Sequence, residues 1–137
     1  MNDRRLAIVA LLVRDYDEAL AWYRDYLDFA VIDDVDLGQG KRWVVVGPHA
    51  ERDARFLLAR ADGDDQAARV GDQTGGRVGF FIETDDFDRD HARMLAKGVA
   101  FREEPRREAY GAVAVFADLY GNLFDLIEPR KVGSSKP

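Results

Sequence analysis

The chain repeats itself. Asp15-Tyr16-Asp17 falls on Asp86-Phe87-Asp88 about 71 positions later, and Val44-Val45-Val46 falls on Val115-Phe116-Ala117 at the same offset. One repeat of roughly 60 residues buries too little apolar surface to be stable by itself, so two copies are expected to share a sheet. The 137 residues leave room for two such modules and for no second independent domain.

Helical spacing occurs once in each module. Asp15 and Glu18 form a capping-box pattern ahead of apolar residues at helical intervals. A second run begins at Asp85 or Asp86 and ends at Gly98, the residue type that commonly terminates a helix. Apolar and alternating segments predict four strands in each module, at residues 6–13, 30–35, 42–46 and 55–60, then 77–84, 99–102, 112–117 and 123–128.

The predicted order in each module is therefore βαβββ. We predict a first module at residues 1–61, a linker at 62–76, a second module at 77–130 and a frayed tail at 131–137. The linker is polar and rich in glycine. The strand at residues 6–13 is almost wholly apolar, which predicts that it is covered on both faces.

Composition excludes several classes of function. The net charge of -6 and the pI near 4.9 argue against nucleic acid as a partner, because phosphate binding requires a basic surface. No apolar run approaches the roughly 20 residues that span a bilayer, and residues 1–5 do not resemble a signal peptide, so we expect a cytoplasmic protein without membrane contact. The absence of cysteine excludes a thiol nucleophile and a zinc ribbon.

Several motifs point to one family. Leu12-Val13-Arg14-Asp15 leads into Trp22-Tyr23-Arg24-Asp25-Tyr26-Leu27-Asp28-Phe29, and Phe116-Ala117-Asp118-Leu119-Tyr120-Gly121-Asn122 precedes the last strand. Across residues 5–129 the chain resembles the vicinal oxygen chelate superfamily, the glyoxalase, bleomycin-resistance and extradiol dioxygenase group. Asp28 stands where that pattern has glycine; aspartate tolerates the left-handed conformation better than most residues. Leu119 replaces the proline of the final turn.

The resemblance implies an α+β fold. Two βαβββ modules would form an open, cup-shaped mixed sheet around a small-molecule site, with the helices on the outer face, and the protein would be a homodimer. The alternative is a dimeric α+β barrel of the ferredoxin-like type, whose βαββαβ order would leave fewer than four strands in each half.

The resemblance also implies four metal-ligand positions, and this chain lacks donors at three of them. Counted from the motifs, they fall on Ile8, near Leu57, on Gly79 and on Asp125. The chain has two histidines: His49 lies in a loop, and His91 lies on the apolar side of the second helix, which indicates a core residue. We therefore predict no metal and no cofactor. A relocated Mg or Mn site that uses Asp125 and Glu83 is the alternative.

Asp125 is the main candidate for chemistry. It lies between apolar residues on both sides in the last strand, so its carboxylate should be inside the cup, as a ligand anchor or general base. A buried pair with Arg55 or Arg77 is the structural alternative. Strand residues that could line the cup around Asp125 are Trp43, Phe56, Phe81, Glu83, Tyr110 and Phe116, with Phe81 and Glu83 on one face by parity from Gly79.

These features predict a metal-independent protein that binds a small molecule, an antibiotic or a metabolite, in the cup. The alternative is an enzyme of the same superfamily, a lyase, isomerase or dioxygenase, with a relocated metal or with Asp125 as the base.

Overall fold

The structure is a computed structural model that describes residues 3–49 and 53–130; the predicted tail at 131–137 lies outside the described residues. The chain divides into two compact units, with the boundary between Gln73 and Thr74, inside the predicted linker. Each unit has its own sheet and its own long helix, so each is described by itself.

The first unit has the predicted βαβββ order. It contains β1 (Ile8–Val13), α1 (Tyr16–Leu27), β2 (Ala30–Gly38), β3 (Lys41–Gly47) and β4 (Arg55–Arg60). The sheet order is β1-β4-β3-β2, with β1 parallel to β4 and the other neighbours antiparallel. The predicted linker is not structureless, because a short helix α2 (Asp64–Ala67) follows β4. The Gln73 side chain also donates to the carbonyl of Ala10 and accepts from the amide of Leu12 on the edge strand β1.

The second unit repeats this arrangement with an interrupted edge strand. It contains β5 (Val78–Glu83), α3 (Phe87–Lys97), β6 (Ala100–Phe101), β7 (Arg106–Glu108), β8 (Gly111–Ala117) and β9 (Leu123–Pro129). The sheet order is β5-β9-β8-β6, and β7 also pairs with β8. Both short strands thus lie along one side of β8. Each unit has at least four strands, which contradicts the ferredoxin-like alternative.

Local sequence signals set the helix ends as predicted. The Asp15 carboxylate accepts from the amide of Glu18 at 2.8 Å, and Asp86 caps α3 in the same way. Asp28 ends α1 with φ 58° in the left-handed region, as expected for the aspartate that replaces glycine there. Gly98 ends α3 with φ 94°. These are short-range effects of capping and of backbone sterics.

Each long helix covers one face of its sheet. In the first unit, Tyr23 of α1 contacts Phe29 and Phe56, with ring centroids 5.7 Å apart in both pairs. Leu11 and Leu58 lie fully buried on this helix-covered face. The prediction that β1 is covered on both faces is wrong: its alternate residues Ile8 and Ala10 are exposed, because α1 packs against one side only.

In the second unit a chain of aromatic contacts joins α3 to the sheet. His91 lies between Phe87 and Phe101, with ring centroids 5.3 Å and 4.5 Å away, which agrees with its interpretation as a core histidine. The contacts continue through Phe116 to Phe124, whose rings stack at 5.0 Å. This cluster is the helix-covered core of the second unit.

Candidate ligand site on the second sheet

The side of the second sheet that faces away from α3, the helix-free face, carries the candidate site. Strand register places Phe81 of β5 and Val115 of β8 beside Asp125 of β9, one on each side. Because paired residues point to the same face, these three side chains lie in a row across the helix-free face. A bulge at Gly79 does not alter this, since the regular register from Phe80 onward keeps Phe81 and Glu83 on the face of Asp125.

One carboxylate oxygen of Asp125 is unsatisfied on this face, beside the apolar side chains of Phe81 and Val115. Its Oδ1 is buried, and no hydrogen-bond donor in the described part of the chain reaches it. Burial raises the pKa of the Asp125 carboxyl above its ordinary value; the charge of Arg106 opposes that rise and the charge of Glu103 adds to it. A native structure rarely leaves a buried acceptor unpaired without reason, and a ligand that supplies the donor is one such reason.

The charge beside Asp125 belongs to a network that the sequence analysis missed. The Arg106 Nε donates to both carboxylate oxygens of Glu103, at 3.0 and 3.1 Å, and Nη1 donates to Glu108 at 2.7 Å. Nη1 also lies 3.4 Å from the hydroxyl of Tyr110, which accepts from it. Glu103 in turn accepts from the amide of Val115, in the gap between β6 and β7. These partners raise the pKa of Arg106, so its guanidinium stays charged and engaged.

Arg106 had only a weak signal in the sequence. Residues 102–108 are dominated by charged residues and contain Pro105, which is typical of a loop rather than of a strand. The pairing of β7 with β8 places Arg106 level with Val113, and hence on the helix-free face. Its neighbour Arg107 points the other way and pairs with Asp88 of α3.

Two of the predicted cup residues are not on a helix-free face. Phe116 is 0% exposed and stacks on Phe124 beneath α3, so its placement in the cup is wrong. The register of β8 explains this, because Phe116 lies opposite Phe124 whereas Val115 lies opposite Asp125. Phe56 packs edge-on against Tyr23 of α1, so it too belongs to a helix-covered core.

The remaining predicted residues stay candidates. Phe81 has 63% of its surface exposed, an unusual state for a phenylalanine, and it lies beside the carboxylate whose Oδ1 is buried. Tyr110 lies in the turn before β8 and is half-exposed. Trp43 lies on β3 of the first unit, level with Val35 of β2. Its neighbour Arg42 points to the opposite face, where its guanidinium lies over the ring of Tyr16 of α1. It is therefore on the helix-free face of the first sheet.

The residues at the family's metal positions do not fit a metal ion. In the first unit, Ile8 and Leu57 present only hydrocarbon, and Leu57 is flanked by Ala10 and Val45. In the second unit, Gly79 has no side chain, so Asp125 is the one residue at these four positions whose side chain could bind a metal ion. Nowhere in the described part of the chain do three His, Asp or Glu side chains come close enough to hold a metal ion. A single carboxylate does not retain a transition metal against water.

None of the helices within residues 3–49 and 53–130 is long and apolar enough to cross a bilayer. A protein of Shewanella frigidimarina (strain NCIMB 400) is 49% identical over 121 residues, which cover 88% of this chain and 90% of that protein. The crystal structure of UcmS2 is similar with a TM-score of 0.80 and 30% identity, and it covers 93% of this chain and 99% of its own.

A second solved structure is TnmS3, described as an antibiotic binding protein from Streptomyces sp. CB03234. It superposes with a TM-score of 0.77 at 27% identity and covers 95% of this chain and 99% of its own. The family profile that matches the chain spans residues 5–126. With the paired βαβββ units and the motifs that contain Asp28 and Asp118, this match shows that the chain belongs to the Glyoxalase/Bleomycin resistance protein/Dioxygenase superfamily.

Proposed function

We propose that the protein binds an antibiotic or a metabolite with a planar apolar part, without a metal ion, on the helix-free face of the second sheet. The observation that carries the proposal is the row of Phe81, Asp125 and Val115, which sets an exposed aromatic ring beside a buried, unpaired carboxylate oxygen. An exposed ring offers a stacking surface, and the carboxylate offers one directional contact. The similarity to an antibiotic binding protein supports the same class of ligand.

The metal content of the protein tests the metal-independent part of this proposal. We expect well under one Fe, Mn, Ni or Zn per chain in protein purified without chelator, measured by elemental analysis, because three of the four family positions lack a donor. About one bound metal per chain would contradict the proposal and favour the enzyme alternative.

The raised pKa of Asp125 is the observation that favours catalysis as the second candidate function. A carboxylate whose pKa is raised by burial is a better proton acceptor than an ordinary surface aspartate. In that case Asp125 would act as the general base of a metal-free lyase or isomerase. Recovery of a chemically altered ligand after incubation with the protein, and unaltered ligand with the Asp125→Asn variant, would establish this function in place of simple binding.

We further propose that the protein is a homodimer, as the resemblance implies, and that it acts in the cytoplasm. Light scattering coupled to gel filtration should give about twice the chain mass of 15.5 kDa. A mass near that of one chain at micromolar concentration would contradict this part.

The first test of the site is the Phe81→Ala variant. For an antibiotic that binds the natural protein, loss of the exposed ring should weaken binding by about 10-fold to 100-fold, as expected for one aromatic stacking contact with its buried area. Isothermal titration calorimetry against a panel that includes bleomycin measures the change.

The matched control is Leu95→Ala. Leu95 is an exposed apolar residue of similar exposure on α3, on the other side of the sheet. Its replacement should change affinity by less than about twofold. Equal losses in the two variants would show that exposed apolar surface, rather than this site, accounts for binding.

The pKa of Asp125 predicts an unusual dependence of stability on pH. Because its pKa is raised in the folded protein, the folded state holds the proton to higher pH than the unfolded chain does. The contribution of Asp125 to stability is therefore greatest at low pH and is lost as pH rises through the raised pKa. The Asp125→Asn variant should gain stability relative to the natural protein as pH rises from about 4 to 7.

Urea denaturation of both proteins across this range measures the difference. Taking the difference removes the effect of other acids, such as Asp90, whose pKa is lowered by Arg89. A difference that does not vary with pH would contradict the raised pKa.

A further inference from the structure

Gly79, at the third of the four metal-ligand positions, has no side chain, and its own backbone does not require a glycine. Its φ lies outside the left-handed region that favours glycine, whereas Gly75 and Gly76 in the preceding turn both have positive φ. A residue with a side chain could adopt the backbone of Gly79. The reason for a glycine at this position therefore lies in the space around it.

The side chain of Thr74 fills that space. A Cβ atom on Gly79 would lie 2.5 Å from Cγ2 of Thr74, and 3.3 Å from both Cβ and Oγ1 of the same side chain. Carbon atoms in good contact are about 3.5 to 4.0 Å apart. The methyl group of Thr74 thus occupies the place where a side chain on Gly79 would begin.

A hydrogen bond holds Thr74 in this position. Its Oγ1 donates to the carbonyl oxygen of Arg77 at 2.7 Å, which fixes the rotamer that turns Cγ2 toward Gly79. Rotation of the side chain to admit a Cβ atom would break this bond. The turn itself uses Gly75 and Gly76, with φ of +69° and +91°, to bring Thr74 back against the start of β5. The obstacle is therefore part of the folded turn.

We propose that Thr74 closes the third metal-ligand position, because its methyl group takes the volume of any metal-binding side chain that would stand on Gly79. This inference rests on the proposed metal-independent function and adds the residue that enforces it. The two positions are coupled: a side chain on Gly79 has room only when Cγ2 of Thr74 is gone. Gly79 precedes Phe81 by two residues on β5, so the methyl group of Thr74 borders the proposed ligand site in place of a metal ligand.

A double-mutant cycle on the whole protein tests this coupling. Gly79→Ala adds only the Cβ atom, and in the natural background we expect it to lower the melting temperature by at least about 6 °C. Thr74→Ser keeps the hydroxyl group and its bond to Arg77 but lacks Cγ2. In that background the same substitution should lower the melting temperature by under about 2 °C. Circular dichroism with a chelator present measures both values without a contribution from metal ions.

Gly79→His extends the test to a side chain that binds metal ions. Its melting temperature should also rise, by at least about 4 °C relative to the respective Thr74 background, when Thr74→Ser is added. If Gly79→Ala or Gly79→His does not fold in the natural background, recovery of the folded protein by Thr74→Ser gives the same support. Failure of Thr74→Ser to rescue either variant would overturn the inference.

The matched control is Thr74→Val, because valine keeps both branches at Cβ and loses only the hydroxyl group. Gly79→Ala should cost about as much in this background as in the natural protein. An equal cost in the Thr74→Ser and Thr74→Val backgrounds would overturn the inference, and so would a loss under about 2 °C in the natural background, since the position would then be open. Failure of the proposed function is a separate result, about one bound metal ion per chain in the natural protein.

Discussion

Replacement of Gly111 by alanine is expected to destabilise the protein by at least about 3 kcal/mol. A Cβ atom at this position would collide with the carbonyl oxygen of Glu128 on β9, and it would lie 3.1 Å from the amide nitrogen of Arg130. Both obstacles are backbone atoms, so the contact can be relieved only by separating β8 from β9. The backbone there also has φ +144°, a conformation that side chains rarely adopt.

The same substitution should also disturb the candidate site. Gly111 begins β8, and β8 carries Val115 to its place beside Asp125. Chemical denaturation monitored by circular dichroism measures the loss of stability. Gly63→Ala is the matched control, because Gly63 also has positive φ, +86°, but nothing lies within 4 Å of its added Cβ. Its cost should be about 1 kcal/mol, the backbone strain alone. Similar losses in the two variants would show that the clash with Glu128 is relieved cheaply.

Replacement of Asp118 by alanine is the second large effect, with an expected loss of about 3 kcal/mol. Asp118 is 6% exposed and organises the turn between β8 and β9. Its Oδ1 accepts from the amides of Tyr120 and Asn122, and its Oδ2 accepts from the side-chain amide of Asn122, all at 2.9 Å. Alanine would leave these donors unpaired in a buried turn, which costs more than the bonds themselves contribute.

Two variants make this prediction specific to the carboxylate. Asp118→Asn keeps an acceptor for the backbone amides but turns an amide group toward the donor of Asn122, so an intermediate loss is expected. Asp85→Ala removes an aspartate whose side chain is 81% exposed and pairs with Arg89. That loss should be under about 0.5 kcal/mol. A loss under about 1 kcal/mol for Asp118→Ala, measured by urea denaturation, would mean that water replaces the carboxylate in the turn.

The same turn shows why much of the fold could be predicted from sequence. The motif around Asp118 and Asn122 works through hydrogen bonds between residues at most four positions apart, so its residue types report its geometry directly. The helix caps at Asp15 and Asp86 act over three positions, and Asp28 and Gly98 end their helices through their own backbone conformation. Because the two modules repeat each other in sequence, the βαβββ order of one predicts the same order in the other.

The site was predicted less well, because its composition depends on strand register. Alternation along β8 cannot tell which of Val115 and Phe116 faces α3, since both are apolar. Pairing with β9 decides it: Phe116 meets Phe124 in the core and Val115 meets Asp125. Arg106 illustrates the converse case, because a charged segment without apolar alternation becomes a strand only through backbone pairing with β8.

The sequence by itself therefore determined the family, the repeated βαβββ order and the helix ends, and it left three of the four metal-ligand positions that the resemblance implies without a metal-binding side chain. Each of these depends on residue identity at fixed short spacings. Only the tertiary structure decided that Phe81 and Asp125 lie side by side, that Phe56 and Phe116 are core residues, and that Arg106 is neutralised by Glu103 and Glu108. The reason is physical: hydrogen bonds between strands distant in sequence set which side chains share a face, and residue types along one strand do not encode that choice.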